Sequence, residues 1–200
     1  MPIKAIFLDY GGVLSQMVDE APRLELAERY GVSLSRIYNL LFDTQAAIQA
    51  ALGEITNEHH WHAIYEILRV PPEERDEFYR QFWSADGLNQ ELVDHLPLLH
   101  ERYKLGLLSN ANGDLRQVMN ERWHIAGLFD GMIISAEVGL LKPDRRIYEL
   151  AVNSLGVQPD EAVFIDDMLP NVEGARVAGW HAIQYFNNRQ MLSELESLVM

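Results

Sequence analysis

A chain of 200 residues, 48% hydrophobic and 23% charged, is long enough for one well-packed domain, or for a core domain with a smaller insert. Its 30 acidic against 16 basic residues leave a net charge of −14, which argues against nucleic acid or an anionic membrane as main partner and leaves any phosphate site to be built locally. The absence of cysteine excludes disulfides, thiol catalysis and cysteine-ligated metals. With no basic-then-apolar leader and no apolar run of membrane length, the expected location is the cytoplasm.

Taken in chain order, short apolar runs alternate with longer amphipathic stretches. Residues 3–8 form the first expected strand. From residue 15 to residue 84 no good strand follows, only helix-like patterns broken at Gly31–Ser33, Gly53 and Pro71-Pro72. There Leu24, Ala27 and Tyr30 fall at helical spacing, as do Ile37, Leu40 and Leu41, and later Ile64, Ile67 and Leu68. Helices are then expected over 88–103, 113–124, 143–155 and 169–178. Strands are expected over 104–108, 131–135, 162–165 and 182–186, with Gly156 and Gly179 placed as helix stops. The strands read as nearly continuous apolar runs, as strands covered on both faces do. The expected architecture is therefore α/β, a Rossmann-like parallel sheet flanked by helices. Residues 1–14 and 85–200 would form the core domain, and 15–84 an inserted all-helical cap.

In open parallel sheets the ligand site lies beyond the carboxyl ends of the strands. The first strand ends in Asp9-Tyr10-Gly11-Gly12 and the second in Ser109-Asn110. The third leads through Glu137-Val138-Gly139 to Lys142-Pro143, and the fourth ends in Asp166-Asp167. A carboxylate can attack phosphorus only where the phosphoryl charge is neutralised. Oxygen ligands from Asp9 and Asp166/Asp167 suit Mg²⁺, and Lys142 would add a second positive charge. The Ser109 hydroxyl and the backbone N–H groups after it, Asn110 included, would take the remaining phosphate oxygens. Gly11 and Gly12 would let the backbone approach without a Cβ.

Each piece alone has a plainer reading. Asp9-Tyr10-Gly11-Gly12 makes a turn, Ser109-Asn110 a helix N-cap, Lys142-Pro143 a helix start, and Asp166-Asp167 an acidic cap. The plain readings would have to hold together at four successive strand ends, which favours a site.

These segments resemble the haloacid-dehalogenase-like superfamily over essentially the whole chain: IFLDYGGVL, LGLLSNAN, SAEVGLLKPDRRIY and VFIDDMLPNVEGARVAGW. The insert after the first resembles the helical cap of the family's first subgroup. The resemblance implies Asp9 as the nucleophile of an aspartyl-phosphate, Ser109 as phosphate ligand and Lys142 as the neutralising lysine. It implies Asp167 as a magnesium ligand with Asp166 beside it, the Gly11 carbonyl as another ligand, and Asn171 as a residue ordering the acidic loop. Gly11 stands where most phosphatases of the family carry a second aspartate, the general acid and base. Haloacid dehalogenases also lack it, but they do not need the acidic pair and typically have tyrosine at the Gly11 position. Phosphatases with Gly-Asn or Gly-Gly after the nucleophile, such as the bacterial α-D-glucose-1-phosphate phosphatase, look closer.

The expectation is thus a Mg²⁺-dependent phosphatase of a small phosphorylated metabolite, with a sugar phosphate as one candidate. A dehalogenase-type hydrolase and a non-catalytic phosphate-binding regulator are the alternatives. His59, His60 and His62 lack an accompanying metal-ligand spacing and are expected on a solvated or cap-facing helix. Trp61, Tyr65 and Trp83 are expected to pack the cap helices. Oligomeric state is left open.

Overall fold

The computed structural model describes residues 2–199. In chain order the elements are β1 (Ala5–Leu8), β2 (Ser15–Met17), α1 (Ala21–Arg29), α2 (Leu34–Tyr38), α3 (Gln45–Ala51), α4 (Asn57–Leu68), α5 (Arg75–Trp83), β3 (Asp86–Leu88), α6 (Gln90–His100), β4 (Lys104–Ser109), α7 (Leu115–Gln117), β5 (Gly131–Ile134), α8 (Ser135–Val138), α9 (Arg145–Leu155), β6 (Ala162–Asp166), α10 (Leu169–Val177), β7 (His181–Gln184) and α11 (Asn188–Val199). Five strands make a parallel sheet in the order β5-β4-β1-β6-β7, with β1 at its centre between Lys104 and Ala162 in register with Ala5. The fold is the Rossmann-like α/β sheet expected.

Side chains alternate across that sheet, so each continuous apolar run feeds two cores. Ile6, Leu8, Leu105, Leu107 and Val163 face α6 and α11, where Leu96 and Met191 are buried. Ala5, Phe7, Leu108 and Phe164 face α9 and the Trp180 ring. Phe7 lies 4.8 Å from Trp180 between ring centroids, and a Cβ on Gly106 would stand 2.2 Å from the Phe7 ring. The glycine is therefore what lets β4 lie beside β1.

Helices α1–α5 enclose a third core in which Leu26, Ile37, Leu40, Trp61, Ile64, Phe78 and Phe82 are buried. Three of them start on side-chain caps. Ser33 accepts from the Arg36 N–H, Thr44 from Ala47 and Thr56 from His59. Trp61 and Tyr65 pack these helices, as expected.

Several local expectations shift. Two three-residue strands, β2 and β3, pair antiparallel where residues 15–17 were expected to be helical or loop. They are too short to show a period of two. The buried face of α1 carries Arg23, Leu26 and Ala27, whereas Leu24 is exposed. Ile67 is likewise exposed, beside buried Ile64 and Leu68. The stretch expected as one helix over 113–124 is a single α turn followed by a π-helical turn, Val118–Arg122. Helix α9 begins at Arg145, two residues after Pro143, because the Asp144 side chain caps it by accepting from the Arg146 N–H. The closing helix α11, absent from the expected elements, covers one face of the sheet with Met191 and Leu195. No described helix is long and apolar enough to cross a membrane.

Candidate active site

The carboxyl ends of the parallel strands bring the expected groups together. Asp9 follows β1, Ser109 closes β4, Asp166 closes β6 with Asp167 next to it, and Lys142 reaches in from the loop before α9. The side chains of Lys142 and Asp166 are fully buried, 2.6 Å apart, and the same ammonium lies 3.0 Å from Asp9. Its third acceptor is the Leu108 carbonyl at 3.0 Å, and the Phe164 ring lies 5.0 Å away. Three acceptors match the three donors of an ammonium.

Asp166 is engaged on both oxygens. Oδ1 accepts from the Met168 N–H at 2.7 Å, Oδ2 from Lys142, and the Asn171 amide donates to both. Asn171 thus orders this acidic loop. Asp9 accepts from the Tyr10 N–H at 2.7 Å. Burial pushes the Asp9 carboxyl up to about 7; Lys142 pulls it down and the charge of Asp166 adds to the rise. Asp167 is also raised, first by burial and then by Asp166.

Among the described residues, Asp9, Asp166 and Asp167 form the one group of three metal-capable side chains, with ligand oxygens within 4.8 Å of one another. Three carboxylates against one ammonium leave an excess of negative charge in a largely buried place. An all-oxygen donor set of that charge fits a hard divalent cation such as Mg²⁺.

The glycines differ from each other. Gly12 has φ +76°, and a Cβ there would stand 2.3 Å from Asp167 Oδ2, so Gly12 gives the acidic loop its room. A Cβ on Gly11 would meet nothing within 4 Å. The Asn110 side chain has a role that the sequence reading did not give it. Its amide donates to the Lys142 carbonyl at 3.0 Å and its oxygen accepts from the Lys142 N–H at 2.8 Å, clamping the lysine's backbone.

A cavity of about 750 Å³ opens between this cluster and α1–α5; Gly11, Gly12, Ser109 and Asn110 line its floor. The histidines do not meet in it. His59 and His62 are exposed, and His60 is buried with its Nε2 3.2 Å from the Leu40 carbonyl, its proton affinity lowered by burial. Trp83 is only partly packed and lines the cavity wall.

Other residues at this boundary were not singled out in the sequence. Asn57 of α4 donates to Asp114 at 2.6 Å and accepts from Asn112 at 2.7 Å, and the Tyr79 hydroxyl lies 3.4 Å from Asp114. The buried Ser135 hydroxyl donates to the Ala51 carbonyl at the end of α3. The polar run NANGD after Ser109 was the available signal, but it reads equally as a solvated loop.

The chain matches the haloacid dehalogenase-like hydrolase family over residues 3–179. It belongs to that family. The resemblance carried by the four motifs thus holds. Bifunctional epoxide hydrolase 2 of Mus musculus is 39% identical over 127 residues, covering 61% of this chain but only 23% of that protein. A sesquiterpene phosphatase from Aspergillus oryzae is 27% identical over 181 residues, covering 81% of this chain and 90% of that one. In structure, a HAD family enzyme from Bacteroides thetaiotaomicron in complex with magnesium and inorganic phosphate superposes with a TM-score of 0.79 at 23% identity, covering 95% of this haloacid dehalogenase-like chain and 98% of the other.

Proposed function

We propose that this hydrolase is a Mg²⁺-dependent phosphatase that cleaves a small phosphomonoester through an aspartyl-phosphate on Asp9. The observation that carries the reading is the buried Lys142 ammonium held between Asp9 and Asp166, with Asp167 alongside. A displacement at carbon would not need the third carboxylate; holding the cation that neutralises a phosphoryl dianion does. The phosphatase among the relatives and the phosphate-bound structural neighbour point the same way.

Asp9, Asp167 and the Gly11 carbonyl would hold the metal, with Asp166 beside them. Bound there, Mg²⁺ would supply positive charge at the non-bridging phosphate oxygens. An Asp9 carboxylate oxygen attacks phosphorus as the bond to the leaving oxygen breaks, and that oxygen departs as the alkoxide or aryloxide, taking its proton from water. Water then attacks the acyl-phosphate, releasing inorganic phosphate and regenerating the carboxylate. Lys142 stabilises the charge on the transferring group. The Ser109 hydroxyl and the Asn110 N–H hold its oxygens, the Gly12 N–H being spent on the Ser15 carbonyl at 2.8 Å. Gly11 brings no acid, so substrates with acidic leaving groups are expected to turn over most readily.

The helical segment 15–84 serves as the cap over this centre, closing it from the side opposite the sheet. An acidic surface fits a cytoplasmic enzyme acting on phosphorylated metabolites rather than nucleic acid. The test is phosphate release from a panel of phosphomonoesters with Mg²⁺ and with EDTA, alongside halide release from 2-haloacids. Metal-dependent phosphate release is expected. Halide release indifferent to EDTA would move the activity to carbon–halogen hydrolysis.

A further inference from the structure

The cavity above the candidate nucleophile is far larger than a phosphate group needs. Its 750 Å³ lies within the roughly 300–1,000 Å³ of ordinary small-molecule sites, so it is the room for a leaving group. Its walls are mainly apolar, built from Met17 on β2, Leu41, Phe42 and Ile48 from the helical segment, and Leu115 and Val118 from the core. Met17, Phe42 and Ile48 remain 48%, 54% and 40% exposed, large apolar side chains left open at the cavity rather than folded into the third core.

Several polar side chains on the same walls already have partners; the exceptions are the Trp83 indole N–H, buried without one, and the exposed Arg122, which donates to the Trp83 carbonyl. Arg23 is buried, paired with Asp86, donates to the Phe82 carbonyl and lies 4.2 Å over the Phe82 ring. Asn57, Asn112 and Asp114 satisfy each other across the boundary. The Tyr10 hydroxyl accepts from the Trp123 indole at 2.8 Å, and Asn110 is spent on the Lys142 backbone. A sugar would need a partner for each hydroxyl it buries, and taking one from these partnered groups breaks a bond already made.

We propose that the leaving group is an apolar alcohol, aryl or alkyl, whose hydrocarbon body lies against Phe42, Ile48 and Met17. The proposal rests on the phosphatase reading above and narrows its substrate class away from sugar phosphates. The cavity is continuous with Ser109, Gly11 and Gly12, so such a body is tethered by its own phosphate at the floor.

The test uses two matched pairs of phosphates with Mg²⁺ present, so that leaving-group acidity is nearly constant within each pair. One pair is phenyl and 4-hexylphenyl phosphate; the other is glucose 6-phosphate and n-hexyl phosphate. Acetyl phosphate serves as a small reference. kcat/KM is expected to rise at least tenfold from phenyl to 4-hexylphenyl phosphate, and to be at least tenfold higher for n-hexyl phosphate than for glucose 6-phosphate. Ile48→Asp and Phe42→Asp, both at exposed positions that leave the cores intact, should bring the 4-hexylphenyl to phenyl ratio near one. Glucose 6-phosphate equal to or better than n-hexyl phosphate, or no gain from the hexyl tail, overturns the apolar leaving group while acetyl phosphate is still cleaved. No phosphate from any compound, acetyl phosphate included, overturns the phosphatase reading beneath it.

Discussion

Lys142 and Asp166 form an ion pair 2.6 Å long with both side chains fully buried, and the lysine's remaining donors go to Asp9 and to the Leu108 carbonyl. Removing one partner of a buried pair leaves the other charge stranded, which costs about 3–5 kcal/mol. Lys142→Met is expected to lose stability on that scale in denaturant titration, and to lose turnover by about a hundredfold to a thousandfold. Combining it with Asp166→Asn should return much of the stability and none of the activity. Lys142→Arg should not rescue turnover, because a planar fork cannot replace a compact ammonium among three acceptors and the Phe164 ring. A Lys142→Met enzyme of near-normal activity would reduce this lysine to a packing element.

The nucleophile is tested by Asp9→Asn. An amide cannot form the acyl-phosphate, so turnover should vanish while the fold stays, since the isosteric amide keeps its oxygen for one of the two donors, Lys142 at the Oδ2 position or the Tyr10 N–H at Oδ1. Rapid acid quench should find phosphate bound to the wild-type protein and none on the variant. Steady phosphate release by Asp9→Asn would exclude this residue as the attacking group.

The proposed metal site is bounded by the Gly12 backbone, which passes close to the acidic loop. A Cβ at Gly12 would stand 2.3 Å from Asp167 Oδ2, and its φ of +76° disfavours any side chain. Gly12→Ala is therefore expected to push Asp167 aside and raise the Mg²⁺ concentration needed for half-maximal activity about tenfold or more, much as Asp167→Ala would. Calorimetric Mg²⁺ titration separates weaker metal binding from slower chemistry. Unchanged affinity in both variants would take Asp167 out of the ligand set.

Much of this arrangement was legible in the sequence because it sits at strand ends. Asp9, Ser109 and Asp166 stand at the ends of apolar runs that read as doubly covered strands, Lys142 lies a short loop beyond a fourth, and the sheet brings the runs side by side. What escaped lies where local pattern is weak. Strands β2 and β3 have three residues each, too few for alternation, and the π-helical turn at Val118–Arg122 breaks a helical period without glycine or proline. The bonds from Asn57 to Asn112 and Asp114 join positions more than fifty residues apart, and a sequence offers no local signal for such a pairing. The clamp of Asn110 on Lys142 escaped for the same reason.

Asp114 gives the boundary between core and helices a pH dependence. Burial raises its carboxyl above the ordinary value of 3.8, and hydrogen bonds from Tyr79 and Asn57 only partly offset this. The folded state therefore holds a proton here that the unfolded chain releases sooner. This contribution to stability is full below 3.8 and is lost as pH rises through the folded value. Asp114→Asn keeps an oxygen for Asn57 and Tyr79 without the charge. Its stability relative to wild type, followed by denaturant unfolding, should increase from pH 3.5 to pH 8. A difference constant across that range would mean the group ionises freely in the fold.

The last expectation concerns Gly11, whose place in the loop carries no proton donor. A Cβ there would meet nothing within 4 Å and its φ is not positive, so the loop accepts a side chain. General acid–base assistance is typically worth about a hundredfold to ten-thousandfold. It matters most where the leaving oxygen is least able to depart as an anion. Gly11→Asp should accordingly speed n-hexyl phosphate by about tenfold or more while changing phenyl phosphate little, narrowing the gap between alkyl and aryl esters. Comparing kcat for the two esters in wild type and variant reads this directly, because both share the same metal, lysine and nucleophile. Equal acceleration of both would mean the new carboxylate acts on the metal or on phosphate binding. Equal loss of both would mean that a third free carboxylate beside Asp9 and Asp167 disturbs the charge balance more than it aids proton transfer.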